Sequence, residues 1–168
     1  METPEHKDIA AILHGLSDSH TILSAFVTSI PEKERHSKRG DTCWSIAEHV
    51  AHLAEVQPMG LQRINRILEE DSPKFIPYFP ARDEKKDVAP LPSVEQALSE
   101  FKIGRDAIVE RLSAATPDDW KRTAVHPEYH QYGLHIFARH ILMHDHWHMY
   151  RMEELWLTRD EYFTNLEG

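Results

Sequence analysis

R-H-I-L-M-H-D-H-W-H-M-Y-R, residues 139–151, places His140, His144, His146 and His148 within nine positions. In a helix, residues four apart sit on one face, one turn above another. His140, His144 and His148 therefore form a single stripe, with about 6 Å of axial rise between neighbours. His146 points away from it. An i,i+4 histidine pair is a natural chelating unit, because both imidazoles can reach one ion. Two imidazoles alone seldom hold a metal well, so a further ligand is expected from another helix facing this one.

Working back along the chain, E-H-V-A-H-L (Glu48–Leu53) carries His49 and His52 at i,i+3 spacing. Ala47, Val50, Ala51 and Ala54 surround them, so this face is read as inward. A single histidine on an apolar face is more often a packed core residue. Two inward helices that each carry a histidine pair can instead converge on one ion. The same cluster can also be read as a metal-free pH sensor, since imidazole titrates near neutrality. A buried group of protonated histidines would repel itself, and a shared metal removes that problem.

The other segments fit a helical chain. Ile9, Ile12, Leu13, Leu16, Leu23, Phe26 and Val27 recur at three and four, which predicts an amphipathic helix from about Pro4 to Ser29. Pro31 and the charged run to Gly40 predict a loop. A second helix opens near Thr42 or Trp44 and runs to Glu70, bent or interrupted at Pro58 and Gly60. Residues 71–92 hold half of the ten prolines, so a long loop is expected there. Such loops are usually lids, binding loops or disordered. Phe75, Tyr78 and Phe79 suggest that part of it packs down. Ser93 followed by Gln96 is a capping-box signature, opening a third helix to about Ala114. T-P-D-D-W (Thr116–Trp120) reads as a short helical turn. Lys121 to Tyr132 reads as an irregular or hairpin-like connection, and the last helix spans Leu134 to about Thr158. Four long helical segments with almost no strand signal predict an all-α fold, a four-helix bundle in one domain over residues 1–168.

Composition narrows the function. The 168 residues carry a formal net charge of -9, which disfavours a nucleic-acid surface. The single cysteine, Cys43, excludes an internal disulfide and multi-thiolate metal sites. It reads as buried and inert. The polar N-terminus lacks a signal-peptide pattern, and no apolar run approaches a membrane span, so a soluble, cytoplasmic protein is expected. Thirteen histidines in this length are unusual. H-E-x-x-H, E-x-x-H, G-x-G-x-x-G, G-K-[ST] and G-x-S-x-G are all absent.

W-S-I-A-E-H-V-A-H-L-A-E (Trp44–Glu55), with a histidine eight positions after the tryptophan, resembles the DinB-like (DinB/YfiT-like) family. H-D-H-W-H-M (His144–Met149) is similar to that family's second motif, and H-P-E-Y-H-Q-Y-G (His126–Gly133) to the segment preceding it. The resemblance implies a four-helix bundle with a three-histidine metal site, one ligand from the second helix and two from the fourth. Carried over by position, these are His52, His144 and His148, holding a divalent metal, with zinc or nickel expected. His140 would then be a channel or supporting residue, and His49 would pack in the core or line the pocket. The implied function is a metal-dependent enzyme activating water or a small thiol, a hydrolase or an S-transferase, acting on a small-molecule substrate and forming a homodimer. The alternative is a non-catalytic bundle that binds a metal or small ligand in stress response. Glu55, one turn after His52, is the candidate base. Asp145 reads as an outward salt-bridge partner, and Trp147, Tyr150 and Trp156 as core or interface residues.

Overall fold

Leu16, Leu23 and Val27 share the buried side of α1 (Ile9–Ser29) and are fully buried. The computed structural model describes residues 7–40, 43–77 and 90–163. The expected start of this helix at Pro4 and the expected helix opening at Thr42 lie outside those residues. Within the charged run read as loop, Glu32–Arg35 forms a single helical turn, α2. The next helix, α3 (Ile46–Glu55), opens on a capping box. Ser45 Oγ accepts from Glu48 N at 3.2 Å, and Glu48 Oε2 accepts from Ser45 N at 2.7 Å. Two donors at the helix start, otherwise unsatisfied, are thereby paired.

The long second helix is interrupted, but not at Pro58 or Gly60. The break falls at Val56, and a separate helix, α4 (Gln57–Glu69), follows. Pro58 sits in the first turn of α4. A proline there loses nothing, because its missing N–H would have had no intrahelical partner. α5 (Val94–Ser113) starts where expected, with Ser93 Oγ accepting from Gln96 N at 3.1 Å. The Gln96 side chain does not reciprocate; it donates to Glu100 at 2.8 Å.

Between α5 and the last helix, Asp119–Lys121 makes a 3-10 turn. β1 (Thr123–Ala124) and β2 (Tyr132–Gly133) then pair antiparallel, in register Thr123↔Gly133 and Ala124↔Tyr132. The hairpin-like reading of this stretch holds. Part of the long proline-rich loop also packs down: Phe75 N donates to Val125 O and Val125 N to Pro73 O, both at 2.9 Å. Phe75 is buried there, whereas Tyr78 and Phe79 lie outside the described residues. α6 (Leu134–Leu157) closes the bundle. No helix among the described residues is long and apolar enough to cross a membrane.

α5 and α6 each pack against α1 on one side and against the α3–α4 arm on the other. This is a four-helix bundle, as expected. Its apolar interior is divided. One cluster holds Leu16, Ile64, Ile67, Ile108, Leu112, Leu134 and Phe137; the other holds Leu23, Val27, Val50, Leu53, Phe101 and Met152. Buried polar side chains are carried on the same helices: Gln57, Arg105 and Asp145, with His49, His52 and His148.

The arm and α5 approach closely at Gly104. A Cβ there would lie 2.4 Å from Gln57 Cβ. Gln57 is buried and donates to Leu53 O at 2.7 Å, so it has little room to retreat. Gly104→Ala is therefore expected to lower stability by about 1–3 kcal/mol despite alanine's better helix propensity. Urea denaturation checks this; an unchanged or raised midpoint contradicts it.

Candidate metal centre

α3 turns His49 and His52 inward, and α6 turns His144 and His148 towards them. His49, His52 and His148 are 2%, 4% and 3% exposed, and His144 is partly buried. His52 Nε2 lies 3.2 Å from His144 Nε2, and His148 Nε2 lies 3.1 Å from the same atom. His52, His144 and His148 thus offer ligand atoms all within 4.8 Å of one another. A tetrahedral ion with metal–nitrogen bonds of about 2.0–2.1 Å needs its nitrogens about 3.3 Å apart. The observed spacing fits that requirement closely. Three neutral nitrogens facing one point leave room for only a limited set of N–H donors, so a cation suits this donor set better than hydrogen bonds alone.

His49 supports the group rather than joining it. Its Nδ1 lies 2.8 Å from His148 Nδ1. With an ion held at His148 Nε2, the proton of that ring would sit on Nδ1 and be donated to His49, which would fix the tautomer and the ring angle. Metal-ligating histidines usually carry such an outer partner. Trp44 packs over the cluster, its ring 5.3, 5.1 and 6.0 Å from those of His49, His52 and His148. Trp147 packs edge-on against His148 at 4.8 Å. The histidines are thereby removed from water, and burial disfavours their charged forms. It pushes His49 and His144 down to about 4 and lowers His148 further, where the neighbouring imidazoles add to the effect. Neutral imidazoles are the form a metal needs.

The cluster opens onto a cavity of about 370 Å3 between the arm and α6. His140 lines it one turn from His144, stacked on Phe137 with ring centres 6.5 Å apart. His146 is exposed, away from the stripe. Glu55 is half-buried at the end of α3 and lies outside the cavity lining. Cys43 is buried.

Two readings need correction. Asp145 is not outward: it is 0% exposed and forms a two-pronged ion pair with Arg105, whose Nη2 donates to Asp145 Oδ1 at 2.9 Å. Adjacent helix positions do point apart, but α6 is flanked by α1, α3 and α4, so both directions are interior. Of the core and interface alternatives for Trp147, Tyr150 and Trp156, the core one falls: they are 40%, 64% and 36% exposed, and Trp147 lines the cavity. Arg63, His126 and Tyr132 also line it. No spacing rule marks them, because they meet only through the β1–β2 hairpin and α4.

A sequence profile of the DinB superfamily matches residues 15–152, a span that contains every residue of the histidine cluster. The chain belongs to the DinB superfamily. Its fold is similar to that of YfiT from Bacillus subtilis, described as a probable metal-dependent hydrolase with an unusual four-helix bundle topology. The two superpose with a TM-score of 0.80 at 18% sequence identity, over 92% of this chain and 89% of that one. Among curated proteins, none matches the sequence.

For this DinB-superfamily chain, the burial of the imidazoles predicts an acid-sensitive metal-free state. The unfolded chain takes up these protons near pH 6.5, and the folded protein takes them up at His49 and His144 only near 4. The unfolded state therefore binds more protons between those values, and stability falls as pH falls. It is fully present above pH 6.5. At pH 5 each of the two histidines is expected to withdraw about 2 kcal/mol. Urea midpoints of chelator-treated protein at pH 7.5 and 5 check this; equal stability at the two values contradicts it.

Proposed function

We propose that the chain is a metal-dependent enzyme in which His52, His144 and His148 hold a divalent ion, zinc or nickel, at the inner end of a substrate cavity. The observation that carries this reading is the convergence of three Nε2-type donors, within 4.8 Å of one another, from two helices. Superfamily membership and the similarity to YfiT support it. When bound, the ion supplies Lewis acidity, which lowers the pKa of a neighbouring water or thiol or polarises a carbonyl. The proposed reaction is attack by water or a small thiol on a small-molecule substrate, hydrolysis or thiol transfer.

The chain's own residues prepare that chemistry. His49 holds His148 through the Nδ1 contact, so the ring is oriented before anything binds. Trp44 and Trp147 exclude water from the inner side of the cluster. His140 lines the cavity, where desolvation and the charge of Arg63 both lower its pKa; this favours the neutral ring, which can take a proton from a nucleophile entering the cavity.

The test is turnover. Zinc- and nickel-loaded protein is assayed against a panel of esters, amides and thiol acceptors, beside His52→Ala. Metal-dependent turnover that is lost in the variant is the expected result. A fully loaded protein that turns over nothing favours the non-catalytic binding module. Glu55→Gln in the same assay tests the expected base: lost turnover at unchanged metal content supports it, and unchanged turnover removes it.

A further inference from the structure

We propose that the cavity carries a carboxylate-binding subsite built by Arg63, Tyr132 and His126, and that the substrate is a small carboxylic acid with an apolar body. The inference rests on the reading of the three-histidine end as the reaction centre. The starting observation is Arg63 on α4. Its guanidinium lines the cavity and is half-buried, and among the described residues no carboxylate lies within ion-pair distance of it. Arg105 and Arg151, which are fully buried, are each paired, with Asp145 and Glu154. A half-buried guanidinium without an anion is costly unless a ligand provides one.

Arg63 is held rather than loose. Its Nη1 donates to Tyr132 Oη at 3.2 Å and its Nη2 to Ile76 O at 2.7 Å. Both acceptors are neutral, so the positive charge is positioned but not cancelled. Phe75 and Phe137 flank it at 5.3 and 5.9 Å. Two neutral donors sit beside it. Tyr132 Oη already accepts from Arg63, which leaves its proton to donate elsewhere. His126 Nδ1 accepts from Glu128 N at 3.3 Å, so the proton of the neutral ring is on Nε2. The His126 and Tyr132 rings are 5.0 Å apart. A guanidinium with two O–H and N–H donors matches a carboxylate, which accepts at two oxygens. Asp145, which also lines the cavity, is neutralised by Arg105, and Glu128 is exposed at the rim.

The geometry also sets the length of the ligand. Phe137, beside Arg63, lies two turns along α6 from His144, about 10 Å of axial rise. Ile108, Ile141 and Met59 line the same cavity. A carboxylate at Arg63 thus leaves an apolar body against these side chains and a reacting group at the histidines.

The test uses chelator-treated full-length protein at pH 8, so that no metal can hold the carboxylate. Binding of 4-phenylbutyrate is compared with that of its neutral counterpart 4-phenylbutan-1-ol, by calorimetry or by the fluorescence of Trp44 and Trp147. The wild type is expected to bind the acid at least about tenfold more tightly. Arg63→Met is expected to remove the preference and Arg63→Lys to keep part of it. Equal binding of the two probes by wild type, or an unchanged preference in a folded Arg63→Met, overturns the proposal. The two readings fail separately. A protein that binds metal without preferring the acid loses only the subsite; one that prefers the acid but binds no metal loses the reaction centre.

Discussion

Asp145→Ala is expected to destabilise the protein by about 3–5 kcal/mol, because it strands a buried charge. The Arg105 guanidinium is 1% exposed and lies deep inside the bundle. Asp145 gives it a two-pronged partner, and Gln57 Oε1 and Leu16 O accept its remaining bonds at 3.2 and 3.5 Å. Without Asp145 those neutral oxygens remain, but the charge is uncompensated. A loss of this size is a large share of the 5–15 kcal/mol that ordinarily holds a domain together. It corresponds to a melting temperature lower by about 6–20 °C at this chain length. Arg105→Ala strands the carboxylate instead and should cost a similar amount. The double variant Arg105→Met, Asp145→Leu removes both charges and should recover most of the loss. Single variants within about 1 kcal/mol of wild type would show that the pair carries no such weight.

That pair marks the limit of what the residues disclose before folding. The four helical arms follow from apolar spacing, the Ser93 cap follows from local capping chemistry, and Lys121–Tyr132 is readable as an irregular or hairpin-like connection. The i,i+4 histidines of α6 and the inward face of Glu48–Leu53 point to a converging cluster, and the resemblance of the two motifs chooses His52 over His49 as the third member. Contacts between distant residues are different in kind. Arg105 looks like any arginine on an amphipathic helix, and Asp145 like an exposed neighbour of His144. Only the flanking of α6 by three helices makes that direction interior. The Ser45–Glu48 capping box is readable as S-x-x-E, and with it the true start of α3; the break at Val56 follows from Pro58 being a first-turn residue and not a mid-helix one. His126 and Tyr132 lie in the H-P-E-Y-H-Q-Y-G segment that resembles the family's, but nothing in the sequence joins them to Arg63, since their meeting depends on how α4 and the hairpin stack.

The second large effect concerns the metal. Removal of His52, His144 or His148 takes away one of three nitrogens that meet within 4.8 Å. Each alanine variant is expected to bind zinc or nickel at least about 100-fold more weakly, since losing even an outer partner costs 10–100-fold. His49→Ala tests that outer case. It leaves the three Nε2 donors in place but removes the partner at 2.8 Å from His148 Nδ1. Its affinity should fall by about 10–100-fold, between wild type and the three ligand variants. His146→Ala, at an exposed position, should bind as wild type.

The most direct measurement is elemental analysis of protein purified without an affinity tag and equilibrated with zinc or nickel, beside His52→Ala and His148→Ala. About one equivalent of metal in wild type and little in either variant is the predicted result. Metal retained in full by both variants, or a wild type that takes up none, contradicts the three-histidine centre.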